Sequence, residues 1–147
     1  MNESSPGDRI GFTLTELAQE YLSKTLPDWI KQTSEQRLVP TLSFSGGGRA
    51  ERNGKVTWEY RGALFLLGGQ RRGALQKGGY FDLLRFPVWI AEIDQLLLRG
   101  RTLTFAAVGM PEPRKYLVIE NAPENFFETV LRENSKCRLR NFGLDRS

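Results

Sequence analysis

The chain has 147 residues, 39% hydrophobic and 11% aromatic, enough apolar material for one domain core and too little length for two ordinary ones. Its formal charge is +4, with no histidine and one cysteine, Cys137. Those counts exclude Ser–His–Asp and Cys–His catalysis and an intramolecular disulfide, and they remove the commonest ligand for zinc or iron.

Residues 1–11 read as a flexible N-terminal segment; Glu3 and Asp8 and the lack of an apolar stretch argue against a signal peptide. No apolar run is long enough to span a membrane. The spacing of Leu14, Leu17, Ala18, Tyr21 and Leu22 predicts a first helix over Phe12 to Leu26, with Thr13 and Glu16 as a capping box. Pro27 is expected to end or bend it, with a short helical piece from Asp28 to Lys31.

Leu38 to Ser45, Val56 to Tyr60 and Gly62 to Leu67 read as strands, with Asn53-Gly54 as a turn between them. Ten of the fifteen glycines fall between Gly46 and Gly79, so this half is expected to hold many tight turns or loops. A strand from Arg85 to Ile90 and a helical turn from Ile93 to Arg99 closed by Gly100 come next. Arg101 to Val108 is a strand, Met110 to Pro113 a stiff turn and Lys115 to Glu120 a strand. A last helix is expected to start at Asn121-Ala122-Pro123 and to fade before Cys137, leaving a basic tail from residue 135 to residue 147. This order predicts a single α+β domain over residues 12–134, a small mixed or antiparallel sheet arrangement with N-terminal and C-terminal helices.

Three segments in this order carry a family likeness: LTELAQEYLSKTL (Leu14 to Leu26) ahead of LSFSGGG (Leu42 to Gly48), FPVWIAEIDQLLLRGRTLTF (Phe86 to Phe105), and YLVIENA (Tyr116 to Ala122). The pattern resembles the HesB-like domain of the A-type iron–sulfur cluster carrier family. That resemblance implies the scaffold. The family binds its cluster with one cysteine after the glycine-rich strand end and a Cys-Gly-Cys pair after the Asn turn. Here those places hold Gly47, Gly48 and Arg49, and Pro123 to Phe127. No ligand position carries over, so no cofactor and no metal are expected.

Other candidates rest on residue chemistry. Gly46, Gly47 and Gly48 with Arg49 are a candidate anion nest, although the lysine and hydroxyl of a P-loop do not follow. Arg71, Arg72 and Lys77 lie among glycines in a basic loop suited to a phosphate backbone, giving nucleic acid as an alternative partner. From Arg49 to Arg85, eight basic residues stand against three acidic ones, which is what would attract such a partner. For acid–base chemistry the carboxylates are Glu59, Asp82, Glu92, Asp94, Glu120, Glu124 and Glu128, with Glu124 and Glu128 expected on one helix face. Glu92 and Asp94 have a sufficient structural role beside a helix N-terminus. A closed pocket holding a desolvated carboxylate would favour an enzyme. Trp58 and Trp89 read as core residues, and Phe126 and Phe127 as contacts for a protein partner. A lone thiol fits a cytoplasmic setting. The expected function is a non-catalytic binding module that contacts protein through strand edges, loops or the final helix.

Overall fold

A computed structural model describes residues 11–142. The elements are β1 (Thr13–Leu14), α1 (Glu16–Glu35), β2 (Val39–Arg52), β3 (Lys55–Gln70), a 3-10 turn (Arg72–Ala74), β4 (Gly78–Leu83) and β5 (Phe86–Ala91). They continue with α2 (Glu92–Leu98), β6 (Thr102–Val108), β7 (Met110–Pro111), β8 (Arg114–Ile119) and α3 (Phe126–Phe142). The architecture is α+β: one curled mixed sheet in the order β1-β6-β8-β3-β2-β5-β4, with β7 added to β3. The β1–β6 and β2–β5 pairs are parallel and the other strand pairs antiparallel.

Helix α1 departs from its predicted bounds. Thr13 and Leu14 pair with Thr102 and Leu103 as a short strand, and the cap is Thr15, whose hydroxyl accepts from the Ala18 N–H at 3.1 Å. The same Oγ1 lies 2.8 Å from Thr104 Oγ1, so the cap also ties α1 to β6. The helix then runs straight through Pro27 to Glu35. Pro27 and Ser23, whose carbonyl loses its partner there, are both exposed, so water can satisfy the orphaned group. Ala18, Leu22 and Leu26 are fully buried, and Tyr21 stacks on Phe105 of β6 with centroids 3.9 Å apart. Leu17, expected on that face, is 58% exposed.

The glycine-rich half corrects the expectation of loops. β2 and β3 form one long hairpin from Val39↔Gln70 to Arg52↔Lys55, and Gly46 to Gly48 lie inside β2. Asn53 and Gly54 turn it with φ of 54° and 77°, the two positive values a tight two-residue hairpin turn demands. A second tight hairpin, β4–β5, turns at Leu84-Arg85, again with both φ positive. Strand β4 was not legible in the sequence, because Gly78, Gly79 and Asp82 carry no strand preference.

The main core gathers Leu22 and Leu26 of α1, Leu42 and Phe65 of the hairpin, Ile90, Leu97, Leu103, Leu117 and Phe126. A second cluster on the other side of the sheet contains Trp58, Leu64 and Val118. Trp58 donates its indole N–H to the Val108 carbonyl at 2.7 Å, and its ring covers Gly48 and Gly109, where a Cβ would collide with the indole. Helix α3 begins at Phe126, beyond the Asn121-Ala122-Pro123 start expected for it, with the Asn125 carbonyl accepting from Thr129 N–H at 3.0 Å. It continues past Cys137 to Phe142, so the tail predicted from residue 135 is helical at least that far. The expectation for residues 1–10 and the side chain of Cys137 lie outside the described residues. No helix among the described residues is long and apolar enough to cross a membrane.

Candidate functional site

A cleft of about 660 Å³ opens where β2 and β5 part company. The two strands are bridged at Thr41↔Trp89. After Ala91 the chain coils at once into α2, so β5 stops accompanying β2. The next outward amide of β2 is met by a side chain: Asp94 Oδ1 accepts from the Phe44 N–H at 3.2 Å. Beyond Phe44, β2 pairs with β3 on one side and with no strand on the other, among the described residues.

The cleft follows this edge. Thr41, Leu42, Ser43, Phe44, Gly46 and Gly47 all line it. Side chains alternate between sheet faces along a strand, so a cavity touching Thr41 and Ser43 as well as Leu42 and Phe44 crosses the strand's margin. The glycines give the margin its form. The register shifts on either side of Gly46, whose φ is +83°, a bulge geometry that glycine adopts without steric penalty. At Gly47 a Cβ would run into the Tyr60 carbonyl oxygen of β3.

Trp89, Ile93 and Asp94 form one wall, and Glu124, Phe127 and Glu128 approach from the start of α3. Phe127 is half-buried and stacks on Phe44, centroids 5.6 Å apart at 12°. Tyr60 and Arg61 close the β3 side. The charged lining is Asp94, Glu124 and Glu128 against Arg61, an acidic balance within a chain of net charge +4. Asp94 is 7% exposed, and its burial pushes the carboxyl pKa up; the Phe44 N–H pulls the other way without cancelling it. Among the described residues no second titratable group is hydrogen-bonded to Asp94.

The structure redistributes the predicted site residues. Gly46 and Gly47 line the cleft, whereas Gly48 sits under Trp58. They belong to a strand, so the anion nest expected at Gly46 to Arg49 is replaced by a bulged sheet margin. Arg49 pairs with Glu51 at 2.9 Å and Lys77 with Glu92 at 3.8 Å. Arg71 and Arg72 are exposed at the far end of the hairpin. Nine residues of β2 separate Val39, near those arginines, from Arg49, roughly 30 Å of strand, so the two basic segments are not brought together. Phe126 is 1% exposed within the core, which removes it as a surface contact; its ring carries Arg101 at 5.1 Å. Trp58 is buried as expected, while Trp89 is only half-buried and lines the cleft.

Among the carboxylates, Glu124 precedes α3, so it does not share a helix face with Glu128, yet the cleft brings the two together. Asp82, Glu92 and Glu120 are exposed elsewhere, and Glu59 lines a shallower groove beside Met110. The role of Asp94 was missed. Its position in the first turn of α2 was readable, but nothing local reveals that this turn faces the backbone of a strand fifty residues earlier. No group of three or more histidine, cysteine, aspartate or glutamate side chains is placed to hold a metal ion among the described residues.

No protein-family model, curated protein or solved structure matches this chain.

Proposed function

We propose that the protein is a non-catalytic interaction module that takes an extended segment of a partner protein as an added strand along β2. The observation that carries this reading is the open margin of β2 running into the cleft. Seven residues, Gly46–Arg52, offer about 20 Å of strand with β3 as the one strand neighbour among the described residues. An exposed sheet edge supplies main-chain hydrogen bonds to any extended chain, and an adjoining pocket selects among side chains. In this reading the added strand lies along Gly46–Arg52 and its end enters the cleft between Phe44 and Trp89. The aromatic lining suits an interface anchor.

The HesB-like likeness enters the proposal as scaffold alone. The positions that would carry cluster ligands hold Gly47, Gly48 and Arg49 in β2, and the Pro123 to Phe127 approach to α3. The partner is expected to be a cytoplasmic protein.

The test is nuclear magnetic resonance of the isotope-labelled full chain with peptides selected from a displayed random twelve-residue library. Strand addition predicts cross-strand contacts between peptide and the Gly46–Arg52 backbone, with slowed amide exchange there. Contacts confined to the Met110–Pro111 groove, or failure of the library to yield any binder, would overturn the reading.

A further inference from the structure

Resting on the strand-addition reading, we infer that the segment taken by the cleft carries a basic side chain, arginine above lysine, seated among Asp94, Glu124 and Glu128.

Three observations converge. The first is charge: the cleft lining has three carboxylates and one guanidinium, opposite in balance to the chain as a whole. A partner drawn to the general surface of this protein would be acidic, whereas one admitted to this cleft would be basic. The second is the state of Asp94. It is nearly buried, and it accepts one hydrogen bond, from the Phe44 N–H on Oδ1, and no other among the described residues. A carboxylate has room for several donors, so one engaged by a single amide in a desolvated setting is undersatisfied when ionised. A guanidinium supplies both the missing donors and the opposing charge. The third is the lining around it. Phe44, Phe127 and Trp89 present aromatic surface in the same cleft, which favours the flat, weakly hydrated guanidinium over an ammonium. Arg61 opposes the arrangement, but it is exposed and stands against three acids.

The experiment uses the full chain and the same displayed library, followed by synthesis of the best peptide with arginine, lysine, norleucine or glutamate at its most constrained position. Arginine or lysine is expected at one dominant position among the selected sequences. The arginine peptide is expected to bind about tenfold more tightly than its norleucine counterpart. That preference should vanish in Asp94→Asn, in which the side chain keeps an oxygen that can accept from Phe44 N–H and loses the charge. Glu128→Gln, an exposed site, provides a second variant in which the preference should fall. Peptides that bind along β2 with no basic preference would overturn this inference and leave strand addition standing. Selection of acidic peptides would overturn it in favour of Arg61. A library that yields no binder at all overturns the strand-addition reading itself.

Discussion

Asp94 and Phe44 are fifty residues apart in sequence and joined by one hydrogen bond, from the Phe44 N–H to Asp94 Oδ1 at 3.2 Å. The contact sits where β2 loses β5 as a neighbour, so a side chain from α2 supplies the acceptor that a strand would otherwise have provided. It ends the ladder without leaving a buried amide unsatisfied. It also ties α2 to β2 at the cleft that both elements line.

Two substitutions separate the acceptor from the charge. Asp94→Ala removes the oxygen and leaves the Phe44 N–H without a partner, which is expected to cost about 1–3 kcal/mol. Asp94→Asn keeps an acceptor and removes the desolvated charge, so it is expected to be neutral or stabilising near neutral pH. Urea unfolding of the three proteins checks this. Equal destabilisation by both changes would show that the carboxylate itself holds the fold.

The same residue predicts a pH dependence. Burial raises the folded-state pKa of Asp94 above its unfolded value. The folded protein therefore holds on to this proton at pH values where the unfolded chain has released it. The contribution of Asp94 to stability is full below the unfolded pKa and is lost as pH rises through the raised one. The stability of Asp94→Asn relative to wild type is thus expected to increase with pH across that window. A difference that stays flat or runs the other way would contradict the assignment.

Thr15 closes α1 and also lies 2.8 Å from the hydroxyl of Thr104, a residue buried in β6. Thr15→Ala is expected to cost about 1–2 kcal/mol, at the upper end for a cap, because it removes a helix cap and a partner of a buried hydroxyl together. Thr15→Ser keeps the hydroxyl and should recover most of the loss. Thermal unfolding of the two variants makes the comparison.

Arg85 has a φ of 75° in the β4–β5 turn and is exposed. A side chain in the left-handed region is strained, and glycine is not. Arg85→Gly is expected to stabilise the protein by about 0.5–1 kcal/mol after the greater flexibility of the unfolded glycine chain is subtracted. The change should appear in the urea midpoint with an unaltered slope.

Some of this was legible in the chain itself. Asn53-Gly54 specified a hairpin because few residues accept two successive positive φ values. Gly100, with φ of 71°, marked the end of α2, and the alternation in Leu103 to Phe105 marked β6. The α+β class followed from that order of periodicities. Absence of histidine restricted the chemistry before any coordinate was known.

Other features were decided only by tertiary contact. The glycines at Gly46 to Gly48 carry a local preference for turns, but pairing with β3 and the Trp58 ring laid over Gly48 draw them into a continuous strand. Pro27 carries a local instruction to break a helix, and the burial of Leu22 and Leu26 on the opposite surface of α1 outweighs it. Glu124 and Glu128 were expected together on one helix face and Asp94 apart from them beside a helix N-terminus, yet the curl of the sheet and the approach of α3 place all three around one cleft. Sequence encodes local conformational preference and the residue types available for chemistry. Which of those residues meet depends on long-range packing, and it is that packing which makes an open strand margin and a buried carboxylate into neighbours.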